Sequence, residues 1–227
     1  IRRCGKSSIL ELFRSHLLAS GVKEKNIIYM SFETLKNRNK TYLGIYNEII
    51  EATRFVQGKV YILLDEIQQI EKWELAVNSL RVDINSDIYI TGSNAYLLSS
   101  QLSTYLSGRY VEIKVLPLSF KEFTDFNEFP QNMSNADKFA LYLKFGGMPV
   151  LTEYDFDKEA PIYNVLEGIL TTVVMEDVIK QAPVREPVLL DKILNFLADN
   201  IGNSVSTNRI KNILATEENT DKKITSA

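Results

Sequence analysis

IRRCGKSSILELF, residues 1–13, sets Gly5, Lys6 and Ser7 directly before an apolar pattern of helical spacing. The phosphate-binding loop reads G-x-x-x-x-G-K-[ST] and feeds straight into a helix. Laid over this stretch, Gly5-Lys6-Ser7 is the end of that loop and Ile1 to Cys4 are its variable positions. The leading glycine would stand immediately before Ile1, so the expectation is a sequence that starts inside the motif. By itself the tripeptide also fits a lysine and a serine at an ordinary helix N-terminus.

The rest of the composition narrows the class. At 227 residues the chain is long enough for one large domain or two modest ones, each with a real core. An apolar fraction of 45%, a charged fraction of 24% and a net charge of −3 describe an ordinary soluble globular protein. With no basic coat, nucleic-acid binding would need a local patch. Lys+Arg and Asp+Glu both number six from Pro183 onward, so no basic face stands out there. One cysteine, Cys4, excludes a disulfide framework and suits a reducing cytosol, hence an expected cytoplasmic location. Apolar runs such as VYILL (60–64) are far shorter than the ~20 residues of a membrane helix. The start lacks the form of a signal peptide.

Periodicity then orders the elements. Residues 8–20 read as a helix with Ile9, Phe13 and Leu17 stacked and Gly21 placed to end it. NIIYMSF (26–32), KVYILLDE (59–66), DIYITGSN (87–94) and YVEIKV (110–115) read as strands. Helical patterns over 41–56, with Leu43, Tyr46, Ile49 and Ile50, and over 73–81 separate the first three. Strands alternating with helices predict an α/β fold: a parallel sheet with helices on both faces. From about residue 134 nearly everything reads helical: Ser134 to Gly147, then 161–180, 186–200 and 204–214. The expected division is an α/β core over 1–130 and a helical region over 131–227.

The chemistry-bearing residues converge at strand ends. Amides of the loop from Arg3 and Cys4 through Gly5, Lys6, Ser7 and Ser8, with the positive end of the helix dipole, would hold phosphate oxygens. Lys6 adds a point charge for the β- and γ-phosphates, and the Ser7 hydroxyl is a hard-oxygen ligand suited to Mg²⁺. Asp65 and Glu66 end a strand apolar enough to be central, and open α/β sheets bind ligands outside the carboxyl ends of their strands. Asp65 would hold Mg²⁺, and Glu66 would orient or deprotonate an attacking water. Two acids at a strand end are common alone; an acid-ended apolar strand sixty residues after a Gly-Lys-Ser helix start is not. In ITGSNA, Asn94 can donate and accept at once, which suits holding a water near a phosphoryl group, with Ser93 second; GSN alone is simply a turn. His16 reads as a surface residue, and Trp73, Phe120 and Phe123 as packing residues rather than base-stacking platforms.

Five segments in order, RRCGKSS, YILLDEIQQIEKWELAVNSLR, DIYITGSNAYLLS, LSGRYVEIKVLPLSFKEF and YLKFGGMPVL, give the chain a resemblance to prokaryotic AAA+ ATPases. The type resembled carries a helical, winged-helix-like C-terminal domain of unknown function. The resemblance implies ATP and Mg²⁺ as ligands, with Lys6, Ser7, Asp65, Glu66 and Asn94 in the roles above. It also implies the sheet order 5-1-4-3-2, whose first strand would precede Ile1. It singles out Arg109, where such proteins often aim an arginine at a neighbour's γ-phosphate; a carboxylate partner or a helix-capping role in the same subunit fits as well. A trans arginine requires a homo-oligomer. The helical region, by the same resemblance, would turn nucleotide state into affinity for a protein or DNA partner. A nucleotide-gated binding module with little turnover is the alternative, and a small-molecule kinase would need a lid with paired arginines that residues after 110 do not resemble.

Overall fold

A computed structural model gives the fold over residues 3–92, 106, 108–173, 187–210 and 212. Residues Ile1–Thr171 form one compact unit and Thr172–Ala227 a second. In the first, strands β1 (Ile27–Ser31), β2 (Val60–Asp65) and β3 (Ser86–Ile90) lie parallel in the order β1-β2-β3. The register sets Ile28 beside Ile62, Ser31 beside Asp65 and Ile62 beside Ile88. Parallel neighbours cannot be joined by a tight turn and need a crossover. Helix α3 (Tyr42–Thr53), after the single turn α2 (Leu35–Arg38), carries the chain from β1 to β2, and α4 (Trp73–Asp83) carries it from β2 to β3.

The side-chain period of two divides each strand between two layers. Met30, Val60, Ile62 and Leu64 pack with Ile45 and Ile49 of α3 and Trp73, Val77 and Leu80 of α4. Ile27 and Leu63 face the other way, onto Leu10 and Leu17 of α1 (Lys6–Ala19), flanked by Tyr29, Tyr61 and Tyr89. Each such aliphatic side chain contributes roughly 1.5–3 kcal/mol by leaving water. The Phe13 ring, 4.6 Å from that of Tyr89, extends this layer to β3. Buried Asn26 brackets the start of the sheet, donating from Nδ2 to the Gln57 and Lys59 carbonyls at 3.0 and 2.9 Å.

Three expectations need correction. Ile9 is 48% exposed, and the stripe of α1 facing the sheet is Leu10, Phe13 and Leu17. Leu43 is likewise exposed; α3 buries Ile45 and Ile49. Residues 110–115 form no strand, with Val111 89% and Ile113 83% exposed. Among the described residues β3 pairs with β2 alone, and residues 110–115 make no backbone ladder with it. A strand exists only where a neighbouring backbone completes its hydrogen bonds, so the β-rich composition of this segment does not by itself make it one.

Beyond the sheet, α5 (Phe120–Phe126) starts on a capping box: Ser119 Oγ accepts from the Glu122 N–H, and the Glu122 carboxylate accepts from the Ser119 N–H at 2.8 Å. Helix α6 (Asn135–Phe145) is capped by Ser134, as expected, and ends at Gly146. Gly147 lies against Leu118, whose N–H donates to the Gly147 carbonyl at 2.6 Å. Phe145, Leu151 and Ile162 of α7 (Glu159–Val173) form a small separate core. Phe123 is buried against Phe129, Tyr142 and Phe156, and Trp73 in the sheet core, so both pack as expected. In the second unit α8 (Pro187–Asp199) is followed by a helical turn at 207–210. Among the described residues no helix is long and apolar enough to cross a membrane.

Candidate functional site

The period of two that separates the layers also builds the site. Ser31 and Asp65 continue the α1-facing series at the carboxyl ends of β1 and β2, and Thr91 continues it one residue past β3. On that face the N-terminus of α1 meets them. Ser7 Oγ donates to Asp65 Oδ1 at 2.9 Å across 58 residues of sequence. Lys6 Nζ stands 4.0 Å from Glu66 Oε1, both side chains largely buried. Lys6, Ser7, Asp65 and Glu66, predicted as one constellation, are brought together.

Asp65 is 2% exposed and held from three sides. Besides Ser7, Thr91 Oγ1 donates to Oδ1 at 2.6 Å, and Ser31 Oγ reaches Oδ2 at 3.4 Å. Glu66 adopts the left-handed region, φ 54 and ψ 44, which turns its side chain out of the strand's alternation. Its carboxylate accepts from the Gln68 side-chain amide as well as facing Lys6. Burial, and after it the Asp65 charge, pushes the Tyr29 phenol upward.

The loop ahead of α1 is shaped by Gly5, the N-cap, at φ 85, preceded by Arg3 at φ 59. Gly5 offers no side-chain cap and no acid lies in the first turn, so the carboxylates at the positive end of α1 are those of Asp65 and Glu66, brought there by β2. A Cβ built on Gly5 would meet nothing within 4 Å, which leaves room beside the loop. Cys4 is buried, and that burial pushes its thiol upward. Arg3 and Ser8 are exposed. These features fit a phosphate group at the loop, and the Ser7 and Asp65 oxygens fit a hard cation. Among the described residues no group of three or more His, Cys, Asp or Glu could hold a metal alone.

Of the other residues singled out, the described ones stand outside this cluster. Arg109 is exposed; its N–H donates to the Leu106 carbonyl at 3.0 Å, and among the described residues no hydrogen bond or ion pair ties its guanidinium to the Asp65–Glu66 cluster. Asn94 and Ser93 lie outside the described residues. His16 is exposed, as expected. Ser31, Gln68 and Thr91 were missed by sequence reasoning. The available signal was parity: Ser31 and Thr91 each end an apolar strand on the same face as Asp65.

A parallel sheet between helical layers, with a Gly-Lys-Ser helix start against an acid-ended strand, defines a P-loop NTPase fold. The chain belongs to the AAA+ family of P-loop ATPases: the family described as "AAA domain" matches residues 1–124, and one described as a "Domain of unknown function" matches residues 136–227. It is 41% identical over 219 residues to an uncharacterized protein of Haemophilus influenzae, covering 96% of this chain and 54% of that one. It is 30% identical over 223 residues to an uncharacterized protein of Methanocaldococcus jannaschii, covering 94% and 48%. The chain thus spans about half the length of the curated relatives it matches. The Orc1 protein of Aeropyrum pernix, solved in complex with DNA, aligns at 15% identity and a TM-score of 0.42 over 92% of this chain and 68% of that one. A likeness that loose carries no argument.

Proposed function

We propose that the protein binds ATP with Mg²⁺ and hydrolyses it. One observation carries this reading: Lys6 and Ser7 on α1 converge on Glu66 and Asp65 at the end of β2, with 4.0 and 2.9 Å between the paired groups. Lys6 and the amides from Arg3 to Ser8 would bind the phosphates, and Ser7 and Asp65 would hold Mg²⁺. The cation, when bound, neutralises charge on the phosphoryl oxygens. Glu66 would take the proton of the attacking water. Asn94 would orient that water, and Arg109 would contribute charge stabilisation in an oligomer. The division into an ATPase core over 1–130 and a helical, winged-helix-like region over 131–227 belongs to the same reading. So do cytoplasmic residence and a protein or DNA partner at the helical end.

The test is phosphate release by the full-length protein. Glu66→Gln should lower turnover by about 10²–10⁴-fold, the share of a positioned general base, and leave ATP binding intact. A second reading is a nucleotide-gated binding module with little turnover. It is favoured by the engagement of the Glu66 carboxylate with both Lys6 and Gln68, which keeps it from acting as a base in this state. Equal, slow release by wild type and variant would decide for that module. Absence of nucleotide binding would defeat both.

A further inference from the structure

Thr91 has no role in the reading above, yet it is bonded to four consecutive residues of the acidic strand end. Its N–H donates to the Leu64 carbonyl at 3.0 Å, and its carbonyl accepts from the Ile67 N–H at 3.2 Å. Between these, its hydroxyl donates to Asp65 Oδ1 at 2.6 Å and accepts from the Glu66 N–H at 3.0 Å. We propose that Thr91 is a positioning residue for both acids: one hydroxyl aims the Asp65 carboxylate at the cation and pins the backbone that projects Glu66. The inference rests on the Mg²⁺–ATP reading and deepens it.

The argument follows from what each group can offer. A threonine hydroxyl has one donor and two acceptor lone pairs. Thr91 gives the donor to an ionisable, buried acceptor, the class of hydrogen bond that is shortest and strongest. The same oxygen takes the Glu66 N–H at the point where φ reaches 54, a conformation that non-glycine residues keep only when their surroundings hold it. Ser7 cannot replace Thr91 in this task. Ser7 is itself an expected ligand, so its bond to Asp65 is one that a cation competes for. Ser31 is at 3.4 Å, near the limit of a hydrogen bond, and touches only Oδ2. The main-chain bonds of Thr91 at Leu64 and Ile67 fix its own position, so the hydroxyl is held in place by the sheet edge and needs no ligand to order it.

The experiment is a Mg²⁺ titration of the full-length protein, read by the fluorescence of a bound ATP analogue, with affinity for the analogue also measured in EDTA. Thr91→Val keeps the shape and removes the hydroxyl. It should raise the half-saturating Mg²⁺ concentration by about tenfold, as loss of an outer partner of a ligand does, and leave metal-free binding within about twofold. Thr91→Ser, with the hydroxyl restored, should return the Mg²⁺ requirement to within about twofold of wild type. Should Thr91→Val fail to fold, Thr91→Cys, a weaker donor of similar size, takes its place with the same expected rise. An unchanged Mg²⁺ requirement in the hydroxyl-less variant overturns the inference. So does a Ser variant as impaired as Val or Cys, or an equal loss of metal-free binding, which would mark a merely structural role. Wild-type protein that binds no analogue overturns the Mg²⁺–ATP reading and this inference together.

Discussion

Gly147 lies where the Leu118 peptide passes, and a Cβ placed on it would stand 2.1 Å from the Leu118 carbonyl oxygen and 3.1 Å from the Tyr142 ring. The obstacle is backbone, so no side-chain rotation relieves it. In Gly147→Ala the Leu118 segment must retreat by about 1 Å, a shift of the kind that overpacking forces at a cost of about 1–3 kcal/mol. The retreat also strains two hydrogen bonds, Leu118 N–H to the Gly147 carbonyl at 2.6 Å and Tyr142 O–H to the Leu118 carbonyl at 2.9 Å. Each contributes about 1 kcal/mol net. Together these give a destabilisation of about 3 kcal/mol, which for a chain of this size lowers the melting temperature by roughly 6–12 °C. Thermal melts followed by circular dichroism measure it. Gly168→Ala is the matched control: it sits inside α7, a Cβ there meets nothing within 4 Å, and it should stabilise by about 0.5–1 kcal/mol. An alanine at 147 that melts within about 2 °C of wild type would refute the steric argument.

Three further outcomes follow from the structure. Asn26→Ala removes the donor shared by the Gln57 and Lys59 carbonyls and should cost about 2–4 kcal/mol in urea denaturation; a loss below about 1 kcal/mol would show that water replaces it. The Ser119 N–H, then its hydroxyl, holds the Glu122 carboxyl below the usual range. A pKa lower in the folded state stabilises fully above the unfolded carboxylate value near 4.3 and fades as pH falls through the lower folded value. Glu122→Gln should therefore flatten part of the acid limb of melting temperature against pH, and an unchanged limb would contradict the capping box. Cys4, buried and with its thiol pushed upward, should react with iodoacetamide at neutral pH at least about tenfold more slowly in the folded protein than in urea; equal rates would contradict its burial.

The elements that carry the site were legible because each combined two independent signals. In β2 the unbroken apolar run marked a buried strand, and Asp65-Glu66 marked the end that meets α1. In α1 the Gly-Lys-Ser start coincided with a helical stripe. The facing of α1 was not legible, because Ile9-Phe13-Leu17 and Leu10-Phe13-Leu17 both satisfy a period near 3.6 and only the sheet's position separates them. YVEIKV has the composition of a strand, but a strand is a property of a pair, and composition alone does not supply a backbone to pair with. Ser31 and Thr91 were missed for a related reason, since parity alone names a face and not a partner. A hydroxyl at the end of an apolar run looks like the start of any turn until cross-strand register sets it beside a carboxylate.

The row Ser31–Asp65–Thr91 also makes the site a checkpoint on assembly. Sliding β2 by a single residue against its neighbours would reverse which layer its side chains enter, delivering the Asp65 carboxylate into the greasy slab built from Ile45, Ile49 and Trp73. No hydroxyl would await it there, and an unsolvated charge is heavily penalised. The buried acid of the candidate site thus penalises misthreaded sheets, so the alignment of the strands and the placement of Asp65 against Ser7, Ser31 and Thr91 depend on one another.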